Sequence, residues 1–452
     1  MKHPLPAFLL AASLLATQPA LAQKDKAAAA FPYPIEQSAL PNGLKTVTVP
    51  FDSPGLAAFY LVVRAGSREE VEPGHTGFAH FFEHVMFRGT DKYPKDKYND
   101  VLKSLGASAN ANTSLDRTVY TMTGNARMLE KMFEVEADRF QRLNYPEHDF
   151  KAEAGAVKGE YTKNSASPYT QLYEKTLETA FDKHTYEHTT MGFFKDIVDM
   201  PNQYAYSKQF FDRFYRPEYT TLLVVGDVKP AEVNALAKKY FGDWKRGTYQ
   251  PTIEAEPEQQ ETRYAHVSNA NFPPFLGLNY KGPAYSDKDK DLPALDLLLT
   301  LLTAENSPLY EKLVVKEQKA RFIGGSPNYT RDPQLISVQA SVVKADDLPY
   351  VREELTKALE QLKTTPVDAQ RLADTKSAAK YGLALSLDSP DQIAQTLAQY
   401  IWLTGDPQSL NRLYALYDQV TPADLQAVAK KYFVANHLTV GTIGPGEGLK
   451  GK

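Results

Sequence analysis

The sequence predicts an α+β fold made of two homologous α/β-sandwich domains joined by a linker. Its 452 residues are more than one simple core accommodates. Strand-like and helix-like segments alternate in both halves, and the chain matches itself weakly at an offset of 218 residues. These observations predict an internal duplication, with one domain at residues 23–245, a linker at 246–262 and a second domain at 263–452.

Residues 1–22 are predicted to be a secretory signal peptide. The basic residue Lys2 precedes an apolar run at residues 8–16, and Ala20-Leu21-Ala22 has the small residues of a cleavage site before Gln23. The run is shorter than the ~20 apolar residues that a membrane-spanning helix needs. We therefore expect an exported, periplasmic protein without a membrane span.

The first domain is predicted to mix strands with helices. β-branched and aromatic residues bounded by Pro or Gly predict strands, and apolar residues at three- and four-residue intervals predict helices. The predicted strands are residues 44–49, 57–63 and 220–225, and the predicted helices are residues 76–88, 95–105, 127–143, 150–165 and 202–214. The segment after this domain contains Pro251 and Pro257 and lacks apolar periodicity, which predicts a solvated linker.

The second domain is predicted to repeat the elements of the first. At the offset of 218, a terminal strand, its glycine, an aromatic pair and two loop residues align. The aligned pairs are residues 220–225 with 438–443, Gly226 with Gly444, Phe214-Tyr215 with Tyr432-Phe433, Gly106 with Gly324, and Asn110 with Asn328. Because identity is low, the shared order of elements carries the prediction.

Composition limits the chemistry that the chain can perform. There is no cysteine, so any zinc must be held by histidine and carboxylate side chains. The net charge is −4 with acidic and basic residues interspersed, which gives no electrostatic reason to expect nucleic acid or an anionic membrane as a partner.

The segment His80-Phe81-Phe82-Glu83-His84 has the H-x-x-E-H order, inverted relative to the commoner H-E-x-x-H zinc motif. On a helix, residues i and i+4 project from one face, so the two imidazoles can hold one zinc ion. Glu83 lies beside them, where a general base for water is needed. Chance produces this pattern in about one such chain in a hundred. An ordinary core helix is the alternative, but so apolar a helix has little structural use for three ionisable side chains.

A third protein ligand is expected on the helix predicted at residues 150–165. Glu153 and Glu160 are seven residues apart and hence on the same face, although a solvated surface position is the alternative for either residue alone. At the offset of 218, the positions of the motif and of Glu160 are apolar in the second domain: Leu298, Leu301, Leu302 and Ala378. The predicted chemistry therefore belongs to the first domain alone.

These residues resemble the active site of the pitrilysin/insulinase family of zinc peptidases, in particular the short-chain branch that includes the mitochondrial processing peptidase. Residues 77–84, followed by Phe87-Arg88-Gly89-Thr90, are similar to the family's active-site helix, and the resemblance extends over nearly the whole mature chain. The family carries its third zinc ligand about 70 to 80 residues downstream, a position that Glu160 matches. Glu153 matches the family's supporting acidic residue.

The resemblance implies one Zn²⁺ per chain, held by His80, His84 and Glu160, with Glu83 and Glu153 in the catalytic set. Asn110-Ala111 resembles the strand on which family members pair the extended backbone of the substrate. Such backbone pairing gives affinity with little sequence preference.

The second domain departs from the family pattern. Active single-chain members carry an Arg near a motif resembling S-R-L and a Tyr near G-L-A-Y, which help to bind the substrate and stabilise the transition state. Here Ser307-Pro308-Leu309 has proline in place of the arginine, and Lys319-Ala320-Arg321-Phe322 has no tyrosine at the matching place. The branch includes two-subunit enzymes, so the resemblance implies a zinc-bearing subunit of a bacterial heterodimer whose homologous partner supplies the Arg and the Tyr.

The resulting hypothesis is a zinc-dependent endopeptidase that hydrolyses peptides or unfolded segments in an enclosed chamber, with Glu83 activating a zinc-bound water. One alternative is a non-catalytic binding or assembly subunit of the same fold, which the intact ligand set disfavours. Another is a peptidase that is active alone or as a homodimer, with Arg321 or Tyr329 replacing the missing pair.

Overall fold

In the computed structural model of this chain, residues 29–449 are described. The predicted signal peptide and the predicted first mature residue, Gln23, lie outside them. Within these residues, no helix combines the length and the apolar character that crossing a bilayer requires.

The first half of the chain forms a six-stranded sheet. Its strands are β1 (Glu36–Ala39), β2 (Lys45–Pro50), β3 (Leu56–Val63), β4 (Ser108–Thr113), β5 (Thr118–Asn125) and β6 (Thr220–Gly226). They are ordered β1-β2-β6-β3-β5-β4, with β2 and β6 parallel and the other neighbours antiparallel. Strand β4 therefore lies at one edge of the sheet.

The second half forms a five-stranded sheet that repeats the order of five strands of the first sheet, all but β1. Its strands are β7 (Arg263–Ser268), β8 (Phe275–Lys281), β9 (Ala320–Ser326), β10 (Leu335–Val342) and β11 (Leu438–Gly444). The order β7-β11-β8-β10-β9 repeats β2-β6-β3-β5-β4. The parallel pair Lys45 and Thr221 recurs as Arg263 and Thr439, so both partners are displaced by 218 residues. The predicted α+β duplication is confirmed.

Helices cover the faces of both sheets. Those of the first half are α1 (Phe78–Val85), α2 (Lys95–Ser104), α3 (Leu129–Arg142), α4 (Glu147–Ser165), α5 (Pro168–Ala180), α6 (Phe194–Asp199), α7 (Tyr204–Phe214) and α8 (Pro230–Phe241). Those of the second half are α9 (Asp291–Thr303), α10 (Pro308–Tyr310), α11 (Leu348–Thr364), α12 (Ala369–Ser386), α13 (Pro390–Thr404), α14 (Ser409–Gln419) and α15 (Pro422–Tyr432). Each of the five helices predicted in the first domain is present, with ends that differ by at most three residues.

Two helices cross between the halves. Helix α5 packs against β7 and β11 of the second sheet, and α13 packs against β3 and β6 of the first. Tyr60 and Val62 of the first sheet accordingly share one core cluster with Leu397 and Ile401 of α13. Each sheet therefore buries one face beneath a helix contributed by the other half.

The offset of 218 residues relates the first and last of the shared strands in the two copies, but it does not hold for every element between them. It holds for α7 and α15, but α4 and α12 begin at residues 147 and 369, and β4 and β9 begin at residues 108 and 320. Gly324 consequently lies within β9 whereas Gly106 precedes β4, and Asn328 lies beyond β9. Ala378 is likewise not the counterpart of Glu160. A single offset assumes equal connections in the two copies, and their lengths differ.

The linker is irregular but not simply solvated. Residues 246–262 contain no helix or strand. However, Gln259 is buried and its amide donates to the carbonyl of Leu438, and the Glu256 carboxylate accepts the backbone N–H groups of residues 182–184. The linker therefore fastens itself to both halves, which the lack of apolar periodicity in its sequence did not indicate.

A buried ionic cluster joins the two halves near the linker. Glu69 Oε1 lies 2.8 Å from the guanidinium of Arg331 and 3.0 Å from that of Arg68. Asp116 accepts the hydroxyl of Tyr186 at 2.6 Å and the backbone N–H of Arg331 at 2.8 Å. Burial raises the pKa of Glu69, and the nearby guanidinium groups oppose that shift.

We expect Arg331→Met to lower the free energy of unfolding by about 3 kcal/mol, because it leaves the buried Glu69 carboxylate with one cation fewer. Urea unfolding of both proteins measures the change. The matched control is Arg127→Met, since Arg127 is exposed in the short turn after β5, where a substitution should change the free energy of unfolding little. Equal effects of the two substitutions would contradict the prediction.

Candidate metal centre

The start of helix α1 is fixed by Gly77. This residue has a φ of +89°, and a Cβ at its position would lie 2.5 Å from Ile197 Cδ1 and 2.8 Å from the carbonyl oxygen of Met191. Glycine alone satisfies both requirements. The helix therefore begins at Phe78, and its first turn is packed tightly against the loop before α6.

Helix α1 buries an aromatic face and leaves an ionisable face. Its large buried apolar side chains are at the helical spacing: Phe78, Phe81, Phe82 and Val85. Phe82 stacks on Phe210 of α7, with ring centroids 5.2 Å apart. Packing of this face turns the imidazoles of His80 and His84 toward α4.

Helix α4 supplies the second wall of the site. Phe150, Ala154 and Val157 are buried, and the ring of Phe150 lies 5.0 Å from that of Phe81. This contact fixes the distance between the two helices. Glu153 and Glu160, two turns apart on α4, then face the ionisable side of α1.

Three side chains converge to form the candidate metal centre. His80 Nε2 lies 3.3 Å from His84 Nε2 and 3.7 Å from Glu160 Oε2, and His84 Nε2 lies 3.4 Å from the same oxygen. A tetrahedral zinc ion with bonds of about 2.1 Å places its ligand atoms about 3.4 Å apart. The separations and the N₂O donor set therefore fit zinc.

Glu153 contacts the other nitrogen of His84. Its Oε1 lies 3.1 Å from His84 Nδ1, and its Oε2 accepts from Arg88 Nε at 2.6 Å. The hydrogen bond with Glu153 raises the pKa of His84, and burial lowers the pKa of His80. Since a metal-binding histidine is usually oriented through its second ring nitrogen, Glu153 is placed to hold His84 with Nε2 toward Glu160.

Glu83 is held by the edge strand β4. The hydroxyl of Thr113 donates to Glu83 Oε2 at 2.7 Å. Ala111, two residues earlier on the same face of β4, is buried against α1. Asn110 is exposed on the opposite face, so the two residues predicted to bind substrate lie on the edge strand beside Glu83.

Three residues of the site were not predicted from the sequence: Arg88, Thr113 and Glu70. Arg88 follows His84 by four residues, a spacing that could have indicated a place on the same face. Glu70 accepts the backbone N–H groups of Gly77 at 2.8 Å and Ala79 at 2.7 Å, and so caps the start of α1. Burial raises the pKa of Glu70 to about 8.

Arg321 and Tyr329 lie apart from this cluster. Arg321 is exposed on β9 and donates to the carbonyl of Val342 at 3.0 Å. The hydroxyl of Tyr329 pairs with that of Tyr417 at 2.9 Å, inside the second half. Across residues 29–449, the contacts of both side chains are with residues other than the three candidate ligands.

Comparisons with known proteins find similarity in both halves of the chain. The model of insulinase (peptidase family M16) matches residues 52–192, which include all three candidate ligands, and the model of the peptidase M16 inactive domain matches residues 203–379. The chain is 30% identical over 412 residues to the zinc protease PqqE of Helicobacter pylori, covering 88% of this chain and 90% of that protein.

Two further relatives cover most of the chain. It is 24% identical over 423 residues to a probable mitochondrial-processing peptidase subunit beta of Arabidopsis thaliana, covering 90% of this chain and 77% of that protein. The fold also matches the crystal structure of the periplasmic protease PqqL from Escherichia coli, with a TM-score of 0.76 at 20% identity, over 92% of this chain and 48% of PqqL. The two family models together match well over half of the sequence, and the chain belongs to the pitrilysin/insulinase family of peptidases, M16.

Proposed function

We propose that the protein is a zinc-dependent endopeptidase that hydrolyses peptides or unfolded segments. The convergence of His80, His84 and Glu160 at zinc-ligand separations, with Glu83 on the same helix face, carries the proposal. The relative named a zinc protease supports it.

The mechanism uses residues on two helices and one strand. Zinc, when bound, supplies Lewis-acid chemistry for the scissile carbonyl and makes a water molecule more acidic. Glu83 accepts the proton of the attacking water and returns it to the leaving amine. Thr113 orients the Glu83 carboxylate through its hydrogen bond, and Glu153 acts as a positioning residue through His84.

The substrate is proposed to add to β4 as a further strand. Asn110 and Ala111 lie on this strand, whose outer edge is unpaired as far as residues 29–449 are concerned. A peptide in that place would pair with the free backbone groups and pass next to Glu83, which Thr113 contacts at the end of the strand.

A homologous partner subunit is proposed to complete an enclosed chamber and to supply the missing Arg and Tyr. Two relatives support this proposal. The Arabidopsis thaliana relative is named as a subunit of a peptidase, and E. coli PqqL is a chain about twice as long, of which this chain covers 48%. Pro308 opens helix α10 where the family has its arginine, and the Tyr329 hydroxyl is engaged by Tyr417. The periplasmic location of PqqL also supports export of this chain to the periplasm.

Zinc analysis and reconstitution test the proposal. We expect one zinc per purified chain and strong peptide hydrolysis only after mixing with a related exported chain that lacks H-x-x-E-H and carries the Arg and Tyr. Absence of zinc, even after titration with the metal, would instead favour a non-catalytic binding subunit. Full hydrolysis by this chain alone would exclude the heterodimer and leave a self-sufficient peptidase.

A further inference from the structure

A cavity of about 530 Å³ lies between the first sheet and helix α13, immediately behind the edge strand β4. We call it the α13 cavity. One wall is the sheet face that carries Asn110 and Asn112, and the other is the helix face that carries Asp391, Gln395 and Trp402. Its volume is in the range of ligand-binding pockets.

Strand geometry connects this cavity to the proposed peptide site. Along β4, Thr113 and Ala111 face α1, whereas Asn112 and Asn110 face the α13 cavity. A peptide paired with β4 alternates in the same way, so its side chains would point in turn toward α1 and toward the cavity. Because Thr113 contacts Glu83, the residues of the bound peptide that lie nearest Asn112 would be within about two positions of the scissile bond.

The cavity contains the guanidinium of Arg117. Arg117 stacks on the ring of Trp402 at 4.7 Å, and its NH1 donates to the carbonyl and side-chain oxygens of Asn112. Its Nε is buried and has no hydrogen-bond partner within the described part of the chain. Burial lowers the pKa of Arg117 to about 10. The carboxylates of Glu83 and Asp116 act on the guanidinium only through space, and both act to raise its pKa. The cavity therefore holds a partly desolvated positive charge.

The acidic group of the cavity is already satisfied. Asp391 accepts hydrogen bonds from the hydroxyl of Tyr60 at 2.6 Å, from that of Thr123 at 3.0 Å and from the amide of Gln395 at 2.9 Å. A cation entering the cavity would meet the positive charge of Arg117 and a carboxylate that already accepts three hydrogen bonds. A carboxylate would meet a guanidinium whose hydrogen-bond acceptors, within the described residues, are the two oxygens of the neutral residue Asn112.

We propose that Arg117 makes the α13 cavity a specificity subsite for an acidic side chain, aspartate or glutamate, within about two residues of the scissile bond. The inference rests on the proposed function, because it requires a peptide that pairs with β4. Arg117 thereby determines specificity without taking part in the chemical step.

Matched peptides test the subsite. Peptides that differ only by Glu, Gln or Lys at successive positions are bound to the zinc-loaded Glu83→Gln chain, and affinity is read from fluorescence anisotropy. We expect the Glu peptide to bind at least about tenfold more tightly than the Gln peptide at one position. Arg117→Met should reduce this ratio to about twofold or less, and Arg117→Glu should invert it in favour of Lys. The control is Arg127→Met, which removes an exposed arginine at the far end of β5.

Two outcomes would overturn the subsite, and two more would separate it from the hydrolytic proposal. Equal affinities of the Glu and Gln peptides for the zinc-loaded Glu83→Gln chain would overturn the subsite, and this comparison needs no substitution at Arg117. An unchanged preference in a folded, zinc-loaded Arg117→Met chain also overturns it. If the preference for the Glu peptide exists but the reconstituted chain never cleaves peptides, the binding site for an acidic side chain stands and the peptidase proposal fails. If the reconstituted chain cleaves Glu, Gln and Lys peptides equally well, the peptidase proposal stands and the subsite fails.

Discussion

Replacing Glu83 with glutamine is expected to lower kcat for peptide hydrolysis at least about a thousandfold while one zinc per chain stays bound. Glutamine keeps the size of the side chain and can still bond to Thr113, but it cannot accept the proton of the attacking water. Metal content by mass spectrometry and steady-state kinetics on a quenched peptide measure the two quantities separately.

Glu130→Gln is the matched control for the Glu83 substitution. Glu130 is exposed on α3, where its carboxylate pairs with Lys239, so the exchange should leave kcat unchanged. If the Glu83 variant kept full hydrolysis with zinc bound, another group would have to be the general base. If it lost both zinc and activity, the result would indicate that Glu83 supports the metal.

The ligands at the candidate centre could be foreseen for two different reasons, helical spacing for the histidines and resemblance for the carboxylate. His80 and His84 share a face through a four-residue interval, and the resemblance to known peptidases singled out Glu160 on a later helix. The contact of Glu83 with Thr113 could not be foreseen in the same way. It depends on how the edge strand packs against α1, a long-range relation that local sequence does not encode.

The exchange of helices between the halves was also beyond sequence patterning. Helices α5 and α13 have ordinary apolar faces, and the periodicity of their sequences does not indicate which sheet each helix packs against. The position of Arg117 against Trp402 depends on this exchange, since Trp402 belongs to α13. A cavity built from residues 285 positions apart in sequence therefore emerges only in the folded chain.

Glu160→Gln is expected to lower the affinity for zinc at least about a thousandfold, because the exchange removes the only anionic ligand of the three-residue set. Glu160 Oε2 lies within 3.7 Å of the Nε2 atoms of both histidines. Because the Glu160 side chain is 38% exposed, the substitution should change the free energy of unfolding of the metal-free chain little. Competition with a chelator of known affinity measures the loss of zinc binding, and thermal unfolding of the metal-free proteins checks the fold.

Glu153→Gln is the informative counterpart, because it makes the same exchange on the same face of α4. Glu153 contacts His84 Nδ1 and Arg88, on the side of the imidazole opposite to the ligand nitrogen. Loss of such a supporting contact lowers metal affinity about 10- to 100-fold. A larger loss of zinc affinity in Glu160→Gln than in Glu153→Gln would therefore identify Glu160 as a ligand and Glu153 as a residue that positions His84. If Glu153→Gln lost zinc as completely as Glu160→Gln, the carboxylate of Glu153 would itself belong among the ligands.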